Sequence, residues 1–141
     1  QDVSGGKPKA ISPEGVDAVG FAVSPDGQTV VGIGPDQKGY LFSTSSNGDP
    51  RPVSGMESGD IPINWSEDGR SVYLYRSGEV PAKVYRVELT VGKRSVWKEI
   101  APLDPTGVST IGPILITPDG KSYVYGFHRT LGDLYLVEGL K

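Results

Sequence analysis

The sequence predicts an all-β protein of short antiparallel strands, and three observations carry that prediction. A tetrapeptide, Ser24-Pro25-Asp26-Gly27, returns as Ser66-Glu67-Asp68-Gly69 and again as Thr117-Pro118-Asp119-Gly120. Each copy separates two short apolar runs: residues 19–23 and 29–33, then 61–65 and 71–75, then 111–116 and 122–127. The 141 residues include 20 glycines and 12 prolines. Helices could not carry that density, whereas turns between grouped apolar strands explain it.

The tetrapeptide reads as a tight turn. Proline presets φ, aspartate hydrogen-bonds its own backbone two residues on, and glycine accepts φ > 0. Asp26-Gly27, Asp68-Gly69 and Asp119-Gly120 are therefore expected to be equivalent structural turns of three hairpins. The spacing makes the hairpins a repeat: 42 residues separate Ser24 from Ser66, and 51 separate Ser66 from Thr117. The 42-residue offset also carries Gly6 onto Gly48, Pro8 onto Pro50, Ser12 onto Ser54 and Val19 onto Ile61. A period near 40–45 residues with four short strands per unit is the signature of β-propeller blades.

Taken in order, residues 1–12 read as an orphan last strand of a blade, since 8–12 match 50–54. Blade one spans 17–55, with strands at 19–23, 29–33, 39–44 and 51–54. Blade two spans 60–102, with strands at 61–65, 71–75, 83–89 and 95–100. Blade three spans 110–141, with strands at 111–116, 122–127 and 133–137 and no fourth. The third strands share a tyrosine: Tyr40, Tyr85 and Tyr135. Period-2 alternation puts each on one face with Phe42, Val87 and Val137, where it would pack between neighbouring blades. Trp65 is expected in the core.

Composition narrows the function classes. A formal net charge of −3 without a basic cluster argues against nucleic acid as the main partner. No apolar run approaches the roughly 20 residues that cross a bilayer as a helix. The absence of cysteine removes disulfides and thiol chemistry but leaves the compartment open. The chain begins with Gln1, which suggests a removed leader or a piece of something longer.

The stretch Asp60-Ile-Pro-Ile-Asn-Trp-Ser-Glu-Asp-Gly69 resembles the D-x-P-x-W-S-P-D-G signature of TolB-like, WD-repeat-like bacterial propellers. The run from Val19 to Gly27 is similar but has Val23 where the signature has Trp, and blade three has Ile116-Thr117 for Trp-Ser. The C-terminal run from Tyr123 to Lys141 is similar to the ends of large soil-bacterial proteins. In those, a propeller follows a serine/threonine kinase or a winged-helix regulator domain. The resemblance implies a module that binds proteins or small ligands, in the cytoplasm or outside it.

There is no G-x-S-x-G nucleophile elbow. Gly120-Lys121-Ser122 ends like a phosphate-binding loop, but Leu115 stands where the earlier glycine is needed. His128-Arg129-Thr130 lacks the aspartate of a kinase catalytic loop. His128 is the sole histidine, so neither a His-rich metal site nor a catalytic residue is assigned, and no cofactor is expected. The candidate ligand face lies on the second connections of the blades: Asp36 and Lys38, then Arg76, Glu79 and Lys83, then His128 and Arg129.

The expected function is a non-enzymatic scaffold or sensor that binds a protein or small ligand. Its expected partner is a second copy, closing a six-bladed ring head to tail as a homodimer. One alternative is a hydrolase or lyase with carboxylates and His128 at a central channel. Another is an excised or engineered half-propeller without independent function.

Overall fold

A computed structural model of the protein describes residues 5–17, 20–45 and 48–139. Among them there is no helix; ten strands form three antiparallel sheets. The first sheet has the order β1 (Ala22–Val23), β2 (Thr29–Ile33), β3 (Gly39–Ser43), β4 (Arg51–Pro52). The second has β5 (Asp60–Trp65), β6 (Ser71–Arg76), β7 (Ala82–Glu88), β8 (Lys93–Ile100). The third pairs β9 (Val108–Ile116) with β10 (Tyr123–Arg129). Every hairpin named by the three Asp-Gly turns is present.

The sheets stack face to face because β6 is apolar on both sides. Val72 and Leu74 point to the first sheet and pack with Ala22, Val31, Val53 and Trp65. Tyr73 and Tyr75 point to the third and pack with Ile111, Ile114 and Ile116. Five consecutive buried residues in β6 are what a strand covered on both faces requires. Burying a valine or leucine of this kind stabilises by about 1.5–3 kcal/mol, so these two layers of contact hold the stack together.

The first strands of the sheets lie side by side, and two adjacent side chains of β5 tie them. Trp65 Nε1–H donates to the Ala22 carbonyl of β1 at 2.9 Å. Asn64 Nδ2 donates to the Ile116 carbonyl of β9, also at 2.9 Å. Trp65 is thus a core residue with a satisfied polar end, as its place in the pattern suggested.

Several expected elements differ. The strand at 19–23 begins outside the described residues and pairs only at Ala22–Val23, because Gly20 sits at φ +81°, off the extended path. The third strand of the last unit, 133–137, does not form, so the third sheet has two strands rather than three. Leu134, Tyr135 and Leu136 are instead over four-fifths exposed. In the second sheet β7 is held by strands on both sides, whereas 133–137 would have β10 as its one neighbour. Residues 8–12 join no ladder of the described sheets. Residues 1–4 of the expected orphan strand lie outside the described residues.

Candidate functional site

The three turns repeat one hydrogen-bond circuit. In the first, Ser24 Oγ donates to Asp26 Oδ1 at 2.6 Å and accepts the Thr29 amide at 2.9 Å. Asp26 Oδ1 also takes the Gln28 amide at 3.0 Å. Ser66, Asp68, Arg70 and Ser71 do the same in the second, with 2.6, 3.0 and 3.0 Å. Thr117, Asp119, Lys121 and Ser122 do so in the third, again at 2.6, 3.0 and 3.0 Å. The hydroxyl donor, seconded by the amide, holds each aspartate below the ordinary carboxylate range. Gly27, Gly69 and Gly120 close the turns at φ between +66° and +70°, the left-handed region.

The turns differ in how they are joined, and a cleft lies beside the unjoined pair. The Glu67 amide donates to the Pro118 carbonyl at 3.0 Å and clips the second turn to the third. The matching position in the first turn is Pro25, which has no N–H to reach the second turn. Between these two turns lies a cleft of about 590 Å³. Its rim carries Asp26, Glu67 and Asp68 against one cation, Arg51, and Leu41 and Leu89 lie along it. Such a lining suits a positively charged group on an aliphatic stem. It is poorly equipped for acyl transfer, because the Ser24 hydroxyl is committed to its turn and no histidine stands beside it.

The residues expected to form a ligand face sit at the opposite end of the sheets, on the far side of β2, β6 and β10. Asp36 and Lys38 pair at 3.6 Å, and the Tyr40 hydroxyl donates to Asp36 at 3.0 Å. Desolvation works upward on the Asp36 carboxyl, but Tyr40 and Lys38 outweigh it and hold the group low. Arg76 is drawn into an ion-pair cluster with Glu57 at 2.8 Å and Asp60 at 3.3 Å. Glu79 is half-buried, with one carboxylate oxygen lacking a hydrogen-bond partner among the described residues. Lys83 lies within β7, opposite Glu99 on β8.

His128 was expected in a connection. It lies within β10, opposite Thr110, because β9 begins early at Val108 and carries the ladder on to Arg129. It is exposed and lines no part of the cleft. Arg129 pairs with Asp104 at 3.3 Å. These seven side chains thus stand in separate local settings rather than gathered into one constellation.

Sequence reasoning missed two features. One is the cleft, whose signal was the exchange of Pro for Glu between turns that otherwise match. The other is the cluster around Asp60, whose side chain is fully buried at the start of β5. Arg94 holds it from β8 through two donor nitrogens, and the Glu57 amide donates to it at 2.7 Å. The Arg94 guanidinium in turn lies 3.7 Å over the Tyr85 ring. Among the described residues no set of three or more His, Asp or Glu side chains is arranged to hold a metal ion. No protein family matches the chain, and no curated protein matches it.

Proposed function

We propose that the three sheets are consecutive blades of a β-propeller and that the protein is a non-enzymatic binding scaffold. On this reading it takes a cationic group of a protein segment or small ligand in the cleft between its first two sheets. The observation that carries the reading is that cleft, set between two copies of one rigid turn circuit, with three carboxylates and one cation around it. Loops on a rigid scaffold are where binding concentrates, and a preorganised rim saves ordering entropy. The stacking of sheets with first strands side by side supports the blade assignment.

A hydrolase or lyase would need an acid–base pair in such a cleft. His128 stands on another sheet with no carboxylate bonded to it among the described residues, so the binding reading is the better supported one. The test is a titration of labelled protein with a lysine-containing tripeptide and, in parallel, its glutamate analogue. Amide shifts at Asp68 and Thr90 should move with the first and not with the second. Equal response to both, or none, sinks the assignment of the cleft.

A further inference from the structure

The two end faces of the stack are complementary to each other, and we infer that they join one copy of this chain to a second, head to tail. This inference rests on the blade reading and adds to it the partner and the surfaces. The packing rule comes from the two joints inside the chain. Val31, seven residues after Ser24, faces the second sheet, where Val72 and Leu74, six and eight after Ser66, meet it. Tyr73, seven after Ser66, faces the third sheet, where Tyr125, eight after Thr117, meets it. Each joint thus sets the same face of one sheet against the opposite face of the next.

At either end of the stack the rule finds, among the described residues, a face over which no further sheet lies. On the third sheet Val124, seven after Thr117, points outward beside its cross-strand neighbour Leu115, and both are 60% exposed. On the first sheet Val30 and Gly32, six and eight after Ser24, line an outward groove of about 400 Å³ with Phe21 and Val23. Phe21 is 59% and Val23 50% exposed. One end therefore carries the face that the other end is built to receive. Apolar patches of this kind mark interaction surfaces.

Residues 11–17 add an independent observation. Ile11 borders the outward groove of the first sheet, and Val53, its match at the 42-residue offset, is buried between the first and second sheets. The groove is thus already furnished on one side as an inter-sheet joint is. Two like faces would not satisfy the rule, so the joint is heterologous; with two copies it occurs twice and closes six sheets, within the four to eight of known rings.

The test uses the full chain and two surface variants, Val23→Glu and Val124→Arg, each at a side chain at least half exposed. Sedimentation velocity of the wild type at tens of micromolar should show a dimer, and each variant alone should be a monomer. Mixing the two variants should restore a dimer, because the intact third-sheet face of one meets the intact first-sheet face of the other. A like-to-like dimer would not be rescued by mixing, and that result overturns the inference. So does a wild type that stays monomeric, including one whose faces are covered by other domains of a longer protein. Hydrogen exchange on the same samples reports the amides of Val31, Val72 and Leu74. Their protection in a monomer would leave the stacked sheets standing and remove only the assembly; their loss would remove the blade reading as well.

Discussion

The backbone N–H of Glu67 reaches the carbonyl of Pro118, so the second turn is fastened to the third while the first is not fastened to the second. The first and third turns carry proline at the matching position, which shows that the turn itself accommodates one. Glu67→Pro is therefore a substitution that removes the clip and keeps the turn. Proline should stabilise by about 0.4–1 kcal/mol through the unfolded chain, and the lost hydrogen bond should cost about 1 kcal/mol. The two nearly cancel, so overall stability is the wrong readout. Amide exchange at Gly120 and Ser122 should quicken in Glu67→Pro and stay unchanged in Glu67→Ala, which keeps its N–H. Equal exchange in both variants would show that the clip does not hold the turns together.

The turn aspartates make an acid-stability prediction. Their folded-state pKa values lie below the ordinary 3.8, chiefly because a Ser or Thr hydroxyl donates to each. A depressed folded pKa favours folding fully above the unfolded value, and the contribution is lost as pH falls through the folded one. Ser66→Ala removes the donor to Asp68. The Asp68 carboxyl should then titrate closer to 3.8 by carbon-detected NMR, and the stability lost from this source should be largest near neutrality and shrink as pH falls through the carboxylate range. An unshifted Asp68 would show that the hydroxyl does not tune it.

Turn chemistry made most of the fold legible. Asp-Gly after an apolar run, three times over, located the hairpins. What sequence did not reveal depended on contacts between distant segments. Asp60 and Arg94 are 34 residues apart, and nothing local to either shows that one buried carboxylate takes up both Arg94 and Arg76. Arg76 was accordingly read as a ligand-face residue when its charge is spent within the fold. His128 was misplaced because the start of β9 is set by its pairing with β10, a partnership that period-2 alternation cannot locate. The cleft escaped notice because it lies between two turns 42 residues apart, which no local pattern joins.

The unformed strand at 133–137 has a defined expected register. Gly32 pairs with Tyr40 and Leu74 with Tyr85, each eight residues after its turn hydroxyl. The corresponding pair is Tyr125 with Tyr135, which sets Val124 opposite Leu136. On assembly with a second copy this segment should add to β10, whose outer edge no strand of the described sheets covers. The double variant Val124→Cys, Leu136→Cys should then form a disulfide readily under mild oxidation, since directly paired residues meet the Cα spacing a disulfide needs. The control Val124→Cys, Leu134→Cys, two residues out of register, should not. Equal oxidation of both pairs would mean that no fixed register exists.

Asp60 offers the sharpest stability test. Its carboxylate is fully buried, takes two guanidinium nitrogens of Arg94, one of Arg76 and the Glu57 amide, and anchors the passage from the first sheet to the second. Asp60→Asn keeps the size and removes the charge, leaving two arginines facing a neutral amide. Breaking a buried pair from one side costs about 3–5 kcal/mol. Here the Arg94 side chain is 16% and the Arg76 side chain 34% exposed, so both can recover some hydration. The expected loss is therefore about 2–4 kcal/mol in urea unfolding, shifted somewhat below that range. Arg94→Met alone should cost less than Asp60→Asn, because Arg76 and the Glu57 amide still serve the carboxylate. In the double variant the losses should sum to less than their separate values, as coupled partners do. Strict additivity would show that Asp60 and Arg94 do not act as a pair, whatever their geometry.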